Sequence, residues 1–153
     1  KEITTSLELL NTDTYFWAKR RVPNEIRVLA KNQKGLKELF EIISNSLTDD
    51  YNNGPKFFIE DKSKYNNLFF GSGSNQSSLW DKVIFGTDED ILHEIQKFDY
   101  IEFPPISSFV YLVELDEKIT WGNLQFAYKD LLEKCKKLNK LFVATSDARY
   151  VYD

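Results

Sequence analysis

Short apolar runs alternate along this chain with longer stretches of helical period. Residues 26–30 read Ile-Arg-Val-Leu-Ala and predict a strand. Asn32 can cap the helix that follows, where Leu36, Leu39, Phe40 and Ile43 recur at helical spacing and give it one apolar face. Residues 49–55 (Asp-Asp-Tyr-Asn-Asn-Gly-Pro) predict a turn or loop. Leu68-Phe69-Phe70 predicts a second strand, ended by Gly71-Ser72-Gly73-Ser74. Leu79, Trp80, Val83 and Ile84 suit a short helix. Thr87 with Asp90 has the form of a capping box, opening a helix that carries Ile91, Leu92, Ile95 and Phe98. Residues 100–103 predict a third strand, stopped by Pro104-Pro105. Leu124, Leu131, Leu132, Cys135 and Leu138 line a longer helix, and residues 142–145 predict the fourth strand.

Strand and helix therefore alternate, the pattern of parallel strands joined by right-handed crossovers. Strands that are apolar throughout imply burial on both faces, as in a barrel or a doubly wound sheet. The expected fold class is α/β, with about four parallel strands and outer helices. Four strands do not close such a barrel, so further strands are expected outside this sequence. Residues 1–22 read as an irregular lead-in, with Tyr15-Phe16-Trp17 beside Lys19-Arg20-Arg21, and residues 23–153 as the organised part.

With 153 residues, 42% hydrophobic and 15% aromatic, the chain fits one folded domain with a core of its own. No apolar run approaches the roughly 20 residues needed to cross a bilayer, so no membrane partner is expected. A net charge of −4 argues against an electrostatic clamp for nucleic acid. The single cysteine has no partner in the chain to oxidise with, which suits a reducing cytosol, and no secretory leader is visible. The chain holds no Met and begins with Lys, which leads us to expect a segment of something longer.

In parallel α/β folds, sites gather at the carboxyl ends of the strands. Asp147 and Arg149 stand there. Many metallohydrolases carry an Asp and a His two apart at the end of a buried strand, both aimed at one metal. Here the His position holds a cation that cannot ligate. From the residues alone, an ion pair is favoured over a remnant metal or phosphate site. The small residues 71–78 could present backbone N–H groups to a phosphate, but no Lys follows at phosphate-loop spacing, and a flexible connector is favoured. Glu102 ends the third strand, and structural pairing with Lys or Arg stands level with catalysis. His93 has polar neighbours at helical spacing and is expected on the surface. Cys135 falls on an apolar stripe and is expected in the core. One His and one Cys far apart leave no thiol-protease arrangement and no zinc-finger spacing. Lys134, Lys136 and Lys137 suit a helix C-terminus. Lys19-Arg20-Arg21 with Phe16 and Trp17 is the one cluster suited to a nucleic-acid backbone, without any further motif around it.

Several phrases in fixed order carry a resemblance. They are Pro23-Asn24-Glu25-Ile26-Arg27-Val28-Leu29-Ala30-Lys31-Asn32, Gly35-Leu36-Lys37-Glu38-Leu39-Phe40, and Leu68-Phe69-Phe70-Gly71-Ser72-Gly73-Ser74. Phe98-Asp99-Tyr100-Ile101-Glu102, Pro104-Pro105, Lys137-Leu138-Asn139-Lys140 and Val143-Ala144-Thr145-Ser146-Asp147 follow. Together they resemble the PHP (polymerase and histidinol phosphatase) domain of PolC-type DNA polymerase III, in the part that follows an inserted proofreading exonuclease. The set of strand ends is more specific than any one phrase.

That resemblance implies a partial, distorted (β/α)7 barrel, with residues 23–153 as the C-terminal part of the PHP domain. It implies a parent that synthesises DNA, proofreads with a 3′–5′ exonuclease and uses Mg or Mn, with Zn or Mn at an intact PHP site. The implied partners are the exonuclease, palm and thumb of the same chain, DNA through the parent, and the sliding clamp and other replisome proteins. The family often has a His where Glu25 stands, a Cys where Ser74 stands, and a closing Asp and His where Asp147 and Arg149 stand. Only Asp147 is retained. Glu25 and Asp147 remain candidate ligands for a hard cation, Ser74 is a poor one, and Arg149 would repel metal. The expectation is a degenerate site, no cofactor for this segment, no catalytic residue in it, and a structural role. An active PHP phosphoesterase is the alternative.

Overall fold

The computed structural model describes residues 24–49 and 55–146. Four short strands form one open sheet in the order β1 (Arg27–Ala30), β2 (Leu68–Gly71), β3 (Tyr100–Phe103) and β4 (Leu141–Ala144). Between them lie α1 (Gln33–Leu47), α2 (Ser78–Phe85), α3 (Asp88–Gln96), α4 (Val110–Leu115) and α5 (Trp121–Lys137), with 3₁₀ turns at Ile59–Lys64 and Ile106–Phe109. The helix starts follow the capping chemistry read from the sequence. The Asn32 side chain accepts from Lys34 N and Gly35 N, and Thr87 with Asp90 forms a complete capping box. Thr120 and Asn123 make a second box, which opens α5.

The expectation of four parallel strands is corrected. β2, β3 and β4 are parallel, but β1 runs antiparallel to β2, pairing Arg27 with Gly71 and Ala30 with Leu68. A crossover helix normally returns the chain once, so that the next strand starts at the same end as the last. After α1, however, the chain passes through the 3₁₀ turn at Ile59–Lys64, and β2 starts beside the end of β1. Lys31 N donates to Asn67 O there, and a Cβ at Gly35 would lie 2.1 Å from the same oxygen, so α1 starts tight against that corner.

Burial also differs between strands. β2 and β3 are covered, while the edge strands β1 and β4 are largely exposed. Both edges lack a neighbouring strand among the described residues.

The register sorts side chains to two faces. Val28, Leu68, Phe70, Ile101 and Phe103 share the face that carries the core. Trp80 is central to it, 4.5 Å between ring centroids from Tyr128 and 5.0 Å from Phe109. Its indole N–H donates to the Glu102 carbonyl at 3.2 Å, which ties α2 to the end of β3. Cys135 lies in this core and His93 is exposed, as expected. Burial pushes the Cys135 thiol up to about 11. Lys134 is buried rather than simply facing solvent at a helix end, and it pairs with Asp88 and Asp130. Among the described residues no helix is long and apolar enough to cross a membrane.

A candidate site at the strand ends

The parallel strands deliver their carboxyl ends to one edge of the sheet. Because β1 is reversed, its amino end arrives there too, bringing Glu25 beside the loop after β2. Ser74 Oγ donates to Glu25 Oε2 at 2.6 Å. Two positions matched to the PHP site from sequence are thus in direct contact. Gly73 makes this approach possible: its φ is +82°, and a Cβ there would lie 2.5 Å from the Glu25 carbonyl oxygen.

The loop expected to be a flexible connector is instead pinned. Ser72 and Ser77 are fully buried, Ser72 Oγ accepts from Glu102 N at 2.9 Å, and Ser77 caps α2. Ser72 N–H donates to Tyr100 O and Ser77 N–H to Ser74 O, so these amides are committed within the protein and do not form a phosphate cradle.

A polar pocket of about 190 Å³ opens between these ends, lined by Glu25, Arg27, Ser74, Asn75, Thr145 and Ser146 among others. Asp147 and Arg149, the other two matched positions, lie outside the described residues.

On the sheet face opposite the core, Arg27, Tyr100 and Glu102 come together. Arg27 Nε lies 3.1 Å from Glu102 Oε1, with the Arg27 side chain 52% exposed and that of Glu102 fully buried. The Tyr100 hydroxyl and both carboxylate oxygens are buried, and the Arg27 contact with Glu102 is one of charge. Burial raises the Glu102 carboxyl above the usual carboxylate range, opposed by the Arg27 charge. Burial, with the neighbouring Glu102 charge, pushes the Tyr100 phenol up to about 12. The Tyr100 ring covers Gly71, where a Cβ would meet ring carbon at 2.4 Å. Of the two readings left open for Glu102, this geometry favours structural pairing.

The Arg27–Glu102 contact and the Ser74–Glu25 hydrogen bond join β1 and its amino end to the ends of β2 and β3. Tyr100 stays protonated at neutral pH, and His93 is exposed on α3. Among the described residues no group of three or more His, Cys, Asp or Glu could hold a metal ion. Arg27 and Tyr100 were not singled out from sequence. The signal for both was present: Arg27 interrupts an apolar strand, and Tyr100 stands two residues before Glu102, on the same face.

No family model matches the chain. Over 150 residues, 98% of the chain, it is 38% identical to a DNA polymerase III PolC-type of Mycoplasmopsis pulmonis. This chain is homologous to a segment of PolC-type DNA polymerase III. The PolC-type protein of Ureaplasma parvum is 32% identical over 154 residues (97% of the chain), and that of Thermotoga maritima 31% over 134 residues (84%). The chain spans only 10%, 10% and 9% of the length of these three PolC-type relatives.

Proposed function

We propose that this chain is a segment of a replicative DNA polymerase III of PolC type, lying in the PHP domain after the exonuclease insertion, and that it works structurally. The likeness to the PolC-type relatives along nearly the whole chain carries the polymerase-segment part of this reading, and the ordered strand-end phrases favour its PHP placement. The Glu25–Ser74 hydrogen bond supports the structural part, because it joins two ligand-type positions to each other. The parent protein extends primed DNA with deoxynucleoside triphosphates, uses Mg or Mn, proofreads, and works in the cytoplasm with the sliding clamp and other replisome proteins. Within it, the segment supports the palm and thumb and positions the exonuclease. Glu25, Ser74, Asp147 and Arg149 are the positions of a degenerate PHP site. Arg27, paired with Glu102, lines the same pocket as Glu25 and Ser74 and supplies a fixed positive charge there.

The test is to raise an antibody to this segment, isolate the native protein and assay primer extension. Mg-dependent extension by a product roughly ten times the length of this segment is expected. A native product of the segment's own 18.0 kDa without extension activity would overturn the reading.

A further inference from the structure

The apolar arc of α1 is wider than its own sheet can cover. Ile42 and Ser46 turn towards the sheet and are buried, with Leu39 partly buried beside them. About a quarter-turn round the helix, Leu36, Phe40, Ile43 and Leu47 follow each other at i, i+4, i+7 and i+11. They are 39%, 59%, 45% and 56% exposed. Gln33, Lys37, Glu41 and Ser44 occupy the polar side that faces away from the sheet. A lone surface helix ordinarily keeps one apolar stripe for one contact. This helix carries a second, contiguous ridge running nearly its full length.

We propose that this flank of α1 is a docking ridge for an apolar helix or strand face elsewhere in the same, longer PolC-type polypeptide. The proposal rests on the function reading above and adds a location to it. Two observations favour this occupant over a second copy of the chain. The ridge exposes on the order of 400 Å² of side chain, against roughly 800 Å² per partner in a stable interface between separate proteins. A tethered partner needs less, because the effective concentration is high. The chain also matches only about 10% of its relatives' length, which leaves ample polypeptide to supply the covering face.

The experiment uses the native full-length protein carrying Phe40→Cys or Leu47→Cys, with Lys37→Cys on the polar side as reference. Maleimide labelling is read peptide by peptide by mass spectrometry. We expect both ridge cysteines to label at least about tenfold more slowly than the reference, at every protein concentration. Equal rates at both ridge positions would overturn the proposal. Protection that vanishes on dilution would overturn it in favour of self-association. The native product's mass separates this from the function reading. A long product with equal rates overturns only the docking ridge, whereas a product of 18.0 kDa overturns both.

Discussion

Replacing Arg27 with Gln removes the charge partner of a fully buried carboxylate. Breaking a buried ion pair from one side costs roughly 3–5 kcal/mol when both partners are enclosed. Arg27 is half exposed, so water already screens part of the interaction, and the expected loss is about 1–3 kcal/mol. For a chain of this size that lowers Tm by about 3–10 °C. The pH dependence carries the sharper signature. Glu102 titrates above its ordinary range in the folded protein, mainly because it is buried. The folded state therefore holds that proton to higher pH than the unfolded chain. Stability from this group is fully present below the unfolded pKa and is lost as pH rises through the folded one. Removing Arg27 raises the folded value further. The deficit of Arg27→Gln should accordingly be largest at neutral to alkaline pH and shrink on acidification, as Glu102 becomes neutral. Glu102→Gln in the same background should recover much of the loss. Urea melts of the four proteins between pH 5 and 8 form the double-mutant cycle. A deficit independent of pH, or a coupling energy near zero, would refute the charge pairing.

Further outcomes follow from the same geometry. Gly71→Ala drives a Cβ into the Tyr100 ring and should cost about 1–3 kcal/mol, part of it recovered when Tyr100→Leu is added; chemical melts of both variants check this. Trp80→Phe leaves the Glu102 carbonyl without its indole donor and should cost about 1–3 kcal/mol, measured by denaturant unfolding followed through far-UV circular dichroism. Cys135, buried with its thiol pushed up to about 11, should resist thiol reagents at pH 8 and react only on unfolding; rapid reaction in the folded protein would contradict its placement.

All four strands were legible, because each is a short apolar run, and the first three are bounded by Gly, Pro or a capping residue. The direction of β1 was not. It depends on how the connection between α1 and β2 runs, and neither propensity nor period records that. The 3₁₀ turn at Ile106–Phe109 and the six-residue α4 are too short for a helical pattern to declare itself. Glu25 and Ser74 were placed at one site from sequence, and they touch. The pairing of Arg27 with Glu102 was invisible because it joins strands that are not adjacent in the sheet, and only the register brings them together. The Gly-Ser loop read as mobile because small polar residues are ambiguous in isolation. Burial of Ser72 and Ser77 against β3 and α2 decided it.

The claim that these strand ends are kept for structure and not for a metal is tested most directly by a thermal melt in excess chelator, repeated with added zinc or manganese. A metal held at about a hundred times its dissociation constant would stabilise by roughly 2.7 kcal/mol. In a chain of this size that is a rise of about 5–10 °C. The account predicts a cooperative transition that does not move with either metal. A rise of that size would mean that Glu25, together with Asp147, still forms a site, and would return the phosphoesterase reading in place of the structural one.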